Sequence, residues 1–357
     1  MKDKISMRQA GIISAFCILS NKILILPSLM YGQTKADSIF LIILMFAIDF
    51  LALPIFFKLK KTYPNLKLFE LLSKFLTKYI AKLIFGVLIV YMLFKALLTF
   101  SIVYDYFKQQ IYQDEFIWIA IICIVPVMNH AVLTGLKPAA RTMELFFGVV
   151  ISGIFIIFFI SFFTHISLPI LFVSTAKQIF SGTFRYVFVF GDFILMFLLM
   201  DKIDYNKNEE KKIYIPSAVA MIIVIAVFFI FYSKYQVTAF MHNNALADIL
   251  VFSVQFNAIG RLDIIAMITI MTLATFQMEI FCLAFCESFV NVFPLLNKKW
   301  AVVVFDISFF ILYYLYIGKF EIIVGSSLTW LAILGVFVAY ILPLLFFILC
   351  FIRRKNE

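Results

Sequence analysis

The chain has 357 residues, of which 64% are apolar or aromatic and only 14% are charged, with a mean hydropathy of +1.07. A soluble domain runs at about 45–50% apolar and about 25% charged, so a water-facing globule could not cover the 46 phenylalanines here. Lipid is the expected solvent; collagen-like, disordered and disulfide-rich secreted architectures are excluded, and the net charge of +10 becomes a question of topology before partners.

A spanning helix needs about 20 apolar residues, whereas barrel strands alternate over about ten. The apolar runs here are long and do not alternate, which predicts an all-α polytopic membrane protein. In chain order, ten candidate transmembrane helices cover Ala10–Met30, Ala36–Phe57, Ile80–Phe107, Phe116–Gly135, Met143–Thr164, Phe184–Met200, Ile213–Tyr235, Ile259–Phe293, Trp300–Ile317 and Ser326–Ile352. The N-terminus is basic and then apolar with no small-residue cleavage site, so it reads as an uncleaved first helix. Residues 1–357 form one integral membrane domain, with 1–164 and 184–352 as its two five-helix halves.

With the N-terminus inside, the cytoplasmic segments hold 21 Lys and Arg and the outer segments 7, while Lys22 and Lys95 fall within helices. That asymmetry over short loops predicts both termini in the cytoplasm. The segment Lys58–Lys82 interleaves seven lysines with Leu, Phe and Ile, and is expected to be an amphipathic helix at the inner interface. His165–Gly182, with Pro169, and His242–Asp248 are semi-polar outer segments.

Ionisable side chains at mid-membrane cost about 2.5–3.5 kcal/mol each on insertion scales. The deep ones are Lys22, Asp49, Lys95, Asp192 and Glu279; Asp105, Asp263, Glu287 and Asp306 lie closer to helix ends. Helix one consists of two apolar runs separated by Ser20-Asn21-Lys22 and followed by Pro27, and helix six is split by Gly191-Asp192. Interrupted segments at corresponding places in two halves point to a transporter-type binding site, where unwound backbone meets a polar ligand. An odd number of helices per half requires the second half to be inverted. Asp49 and Lys95, at similar depth on consecutive helices, read as a neutralising pair, and Glu279 and Glu287 as solvated carboxylates near a cytoplasmic helix end.

Cys17, Cys123, Cys282, Cys286 and Cys350 lie in apolar stretches and read as packing residues; His130, His165 and His242 form no ligand pattern, so no metal is expected. No nucleophile elbow, Walker loop or HExxH motif appears, and the basic residues sit in short loops and not on one face. Neither an enzyme, a cofactor nor a nucleic-acid partner is expected.

Ile5-Ser6-Met7-Arg8-Gln9, Ile23-Leu24-Ile25-Leu26-Pro27-Ser28, and Tyr63-Pro64-Asn65-Leu66 with Glu70 resemble the start of a spore germination permease. Arg141-Thr142-Met143-Glu144-Leu145-Phe146-Phe147, Phe190-Gly191-Asp192 and Arg261-Leu262-Asp263 continue the likeness in order. The family comprises the B subunits of nutrient germinant receptors, within the amino acid–polyamine–organocation superfamily. The resemblance implies ten helices in two inverted repeats with helices one and six broken, in the inner membrane of a bacterial spore. It implies assembly with an A subunit and a lipoprotein C subunit, and small nutrients, often amino acids, as signals. Carried over by position, Ser20, Asn21 and Lys22 match the unwound part of helix one, and Gly191 with Asp192 that of helix six; Lys95 and Asp263 complete the candidate ligand site. Where the family tends to have a small Gly-containing step this chain has Asn21-Lys22, and where it has Glu this chain has Asp192. A lysine there either replaces a cation or ligand amine, or fills the pocket and ties it to Asp192. The competing functions are a ligand-sensing receptor subunit, a proton-coupled amino-acid or amine transporter, and a channel component.

Overall fold

Ser6 and Gln9 open the first helix as a reciprocal cap: Gln9 N–H donates to Ser6 Oγ at 3.3 Å and Ser6 N–H to Gln9 Oε1 at 3.1 Å. From this start the computed structural model describes residues 4–64, 66–111, 116–162, 167–242, 244–251, 263–316 and 329–354. Helix α1 (Met7–Leu19) stops at the polar Ser20-Asn21-Lys22 step and helical structure resumes only in α2 (Leu26–Thr34), with Pro27 in its first turn. Then follow α3 (Ser38–Phe50), α4 (Ala52–Thr62), α5 (Leu68–Phe75), α6 (Lys78–Ile111), α7 (Phe116–Thr134) and α8 (Leu136–Phe162).

The second half begins with α9 (Ala176–Tyr186), which passes through a 3-10 turn at Val187–Val189 and an extended step into the short α10 (Ile194–Leu198). It continues with α11 (Lys211–Tyr235), α12 (Ala245–Val251), α13 (Asp263–Val292), α14 (Lys298–Tyr316) and α15 (Thr329–Val336), then a π-helical turn at Phe337–Ile341 and α16 (Leu342–Arg354). Among the described residues, seven helical stretches are long and apolar enough to cross a membrane. They are Leu26–Thr62, Lys78–Tyr106, Leu136–Phe162, Ala176–Leu198, Lys207–Met241, Ile264–Val292 and Trp330–Ile348. Met7–Leu19 and Ile124–Thr134 are apolar but shorter. The chain is therefore an all-helical polytopic membrane protein. The expected first helix, Ala10–Met30, is interrupted at Ser20-Asn21-Lys22, as its two apolar runs predict, and forms α1 and α2.

Helix α13 lies along α6, with α7, α8 and α14 around it, and α1 is held between α11, α8 and α13. Gly11 permits the α1–α11 contact: a Cβ there would lie 2.2 Å from the Lys212 carbonyl oxygen. Large apolar side chains such as Leu145, Phe155 and Ile222 stay exposed on the outer faces of α8 and α11, as lipid requires and water would not permit.

The Lys58–Lys82 segment is not one amphipathic helix. Pro64 divides it into the end of α4, the eight-residue α5 with Leu68, Leu71 and Leu72 buried, and the start of α6. One of its lysines, Lys60, is buried and donates to the carbonyl oxygens of Met200 at 2.5 Å and Pro64 at 2.6 Å. Among the described residues the β-type pairing is a single parallel bridge between Ile5 and Ile203. Ile5 N–H donates to Lys202 O at 2.8 Å and Asp204 N–H to Ile5 O at 2.9 Å, which joins the N-terminal tail to the segment following α10.

Candidate functional site

Two helix breaks leave backbone groups without intrahelical partners, and buried groups of that kind must be bonded elsewhere. At the first break the Leu24 carbonyl accepts from Ala245 N–H at 2.9 Å. At the second, Gly191 takes φ +82°, a left-handed conformation that a side chain disfavours. A Cβ on Gly191 would also meet the Ala339 Cβ at 2.8 Å and the Tyr91 hydroxyl at 3.1 Å.

Helix α6 supplies much of what the second break needs. Tyr91 OH donates to Phe190 O at 2.7 Å, and Lys95 Nζ donates to Val189 O at 2.8 Å. From α3, Asp49 Oδ2 accepts from Gly191 N–H at 3.1 Å. Polar side chains thus replace the missing helix ladder, the condition for irregular backbone at membrane depth.

The charges converge on Asp192. Lys95 Nζ donates to Asp192 Oδ1 at 2.9 Å, and Lys22 Nζ, from the first break, donates to Asp192 Oδ2. Lys22 and Lys95 are fully buried and Asp192 is 5% exposed. Phe190 lies 5.3 Å from the Lys22 ammonium, while Tyr91, Phe188 and Phe281 stand 5.5, 5.8 and 6.0 Å from that of Lys95, so aromatic faces cover the cations on their apolar sides. With Asp49 the formal count is two ammonium groups to two carboxyl groups.

A second polar layer joins this centre to α13. Asn21 Nδ2 donates to Thr99 Oγ1 at 3.0 Å, and Thr99 in turn lies within bonding distance of Lys95 O (2.9 Å) and Gln277 Oε1 (3.1 Å). Gln277 Nε2 donates to Cys17 O at 3.3 Å. Ser20 Oγ, Asn21 Oδ1 and Asp49 Oδ1 are buried without a hydrogen-bond partner among the described residues. Buried polar atoms without a partner are uncommon, and their position beside an internal ion triad marks this cluster as the candidate site.

A profile of the spore germination proteins matches residues 4–321, most of the chain. The chain belongs to the spore germination protein family. Comparison with curated proteins gives no match. The range matched to the germination family contains both helix breaks and the whole of α6 and α13.

For this germination family member, Ser20, Asn21, Lys22, Lys95, Gly191 and Asp192 come together in one buried cluster. Asp263 opens α13, and its side chain lies outside the described residues. Lys95 does not pair with Asp49 as expected: it faces Asp192, while Asp49 turns to the Gly191 amide. Similar depth on consecutive helices does not specify rotation, and rotation decides the partner. Glu279 is not a solvated carboxylate either, because α7 covers it and His130 meets it at 3.0 Å; Glu287 is held by Lys202 and Lys298, each at 2.5 Å. Tyr91, Thr99 and Gln277 were not singled out from sequence. Tyr91, Lys95 and Thr99 recur at intervals of four on α6, a spacing that places them on one face and could have found them.

Proposed function

We propose that this protein is the membrane subunit of a spore germinant receptor, sensing a small nutrient of amino-acid type at the two helix breaks and passing the change to partner subunits. The observation that carries the reading is the convergence of Lys22, from one break, and Asp192, from the other, in a buried centre that also holds Lys95. Family membership supports the germination role, and the helix breaks support a transporter-derived site. On this reading Ser20, Asn21, Lys22, Lys95, Gly191, Asp192 and Asp263 form the ligand site. The chain then crosses the membrane ten times as two inverted five-helix repeats, 1–164 and 184–352. Both termini are cytoplasmic, the location is the spore inner membrane, and the partners are an A subunit and a lipoprotein C subunit.

Signalling requires the ligand to favour one of two conformations, since equal affinity for both shifts nothing. Ligand entry here would compete with the internal Lys22–Asp192 bond. A thermal-shift panel of amino acids and amines on the purified protein, repeated on Lys22→Ala, tests this: a compound that stabilises the parent and fails to stabilise the variant identifies site and chemistry together. Deletion of the gene with unchanged nutrient-triggered germination would overturn the role.

A second reading is a proton-coupled amino-acid or amine transporter, favoured by the same buried exchangeable ion pairs. Uptake of labelled amino acids into proteoliposomes, with and without a pH gradient, separates the two; a receptor without transport shows no flux in either condition.

A further inference from the structure

Away from the helix breaks, α7, α13 and α14 meet along a seam that carries a second set of polar side chains. Glu279 of α13 is 1% exposed, and its Oε1 lies 3.0 Å from His130 Nδ1 of α7. One turn further on, the Cys282 thiol donates to Asn129 Oδ1 at 3.4 Å, and Asn129 Nδ2 donates to Asp306 Oδ2 of α14 at 2.9 Å. No lysine or arginine forms an ion pair with Glu279 or Asp306 among the described residues.

A bare carboxylate so deep in an apolar seam is strongly disfavoured, because no countercharge offsets its lost hydration. Three hydrogen bonds fit the 3.0 Å contact: a carboxylic acid donating to a neutral imidazole, an imidazolium donating to the carboxylate, or a neutral imidazole Nδ1–H donating to the carboxylate. The first two hold one proton more than the third, and only the third leaves a net charge in the apolar seam. The His130 side chain is 43% exposed and stands four residues from the end of α7 at Thr134, about 6 Å along the helix, so the ring links the buried carboxyl to the surface.

We propose that His130 and Glu279 form a proton-binding site that holds one proton while α7 and α13 are packed together and releases it when Glu279 meets water. The site is separate from the proposed nutrient site. The titratable groups around it are few. Helix α7 brings His130, α14 brings Asp306 across Asn129, and α13 itself brings Cys282 and Cys286. On other faces of α13, Lys95 of α6 is bonded to Asp192 and stands over Phe281, Cys17 of α1 meets Gln277, and Glu287 is held by Lys202 and Lys298. Among the described residues α8 and α12 bring no ion pair to Glu279. No three His, Cys, Asp or Glu side chains among the described residues converge to hold a metal ion.

The linkage has a definite sign. Unfolded, the two groups titrate near their ordinary values of about 4.3 and about 6.5, so well above about pH 6.5 the unfolded chain has released the proton that the packed pair holds in this proposal. Stability from this pair therefore falls as pH rises, by up to tenfold in the folding constant per pH unit, until the folded pair deprotonates. The test is thermal and denaturant unfolding of the purified full chain between about pH 6.5 and about pH 8.5, for the parent and Glu279→Gln, whose amide needs no proton. The expected result is a decline with pH in the parent that is shallower by one proton in the variant; identical slopes overturn the proposal. Infrared spectra of the parent in nanodiscs give a readout that does not depend on that variant folding. A protonated carboxyl or an imidazolium at neutral pH, altered in His130→Asn, is expected, and an ionised carboxylate beside a neutral imidazole would overturn it.

Discussion

Asp192 holds two ammonium groups with its two oxygens, and this makes it the most sensitive single residue of the buried centre. Asp192→Asn leaves both cations without a carboxylate contact inside the membrane, and breaking a buried pair in this way costs about 3–5 kcal/mol. The purified variant should show a correspondingly lower denaturation midpoint. Lys22→Met should cost less, because Lys95 still neutralises Asp192; a larger loss than for Asp192→Asn would contradict the arrangement. Gly191→Ala combines a left-handed backbone, worth about 1–2 kcal/mol against a side chain, with a Cβ only 2.8 Å from that of Ala339. It should lower the melting temperature even though the change adds one methyl group. Lys22 and Asp192 were legible in the sequence because a charge inside an interrupted apolar run is a costly exception that stands out. Thr99 and Gln277 were not, since a neutral polar residue in a membrane helix is common and its partner depends on helix rotation.

At the level of elements, the breaks persist because α6, α3 and α12 satisfy the backbone that they release. Phe190 O, Val189 O, Gly191 N–H and Leu24 O each find a partner on another element. The hydropathy pattern located both interruptions but not the groups that satisfy them, for those groups are set by which faces of neighbouring helices meet. Tight packing then fixes the first broken helix against α11. Gly11→Ala would drive a Cβ to within 2.2 Å of the Lys212 carbonyl oxygen, which is backbone and cannot rotate aside. Overpacking of this kind typically costs about 1–3 kcal/mol, and it should appear as reduced thermal stability of the detergent-purified protein. Pro64 illustrates the opposite limit: composition alone suggested one continuous amphipathic helix, and a single residue without an amide hydrogen divides it.

For the molecule as a whole, the excess of Lys and Arg on alternate loops predicts a definite sidedness. The exposed Lys74 and Lys177 fall on opposite sides in that reading. In a cysteine-free background, Lys177→Cys should react with a membrane-impermeant maleimide on intact cells, and Lys74→Cys only after permeabilisation; the reverse pattern would invert the topology. Helix α13 stands between the two polar clusters of this layout. Gln277 contacts α1 and α6, while Glu279, two residues on and nearly opposite, contacts α7. The all-helical membrane class could be read from composition, whereas the two-sided wiring of α13 required knowing its neighbours.

The bridge between Ile5 and Ile203 gives the N-terminal tail an unexpected duty. Because two backbone hydrogen bonds tether it just beyond α10, a swing of that short helix would draw the tail with it. A fluorophore placed ahead of Ile5 would thus act as a pointer, converting rearrangement at the buried centre into displacement at the end of the chain. A fusion that immobilises this tail would act as a brake on the same movement.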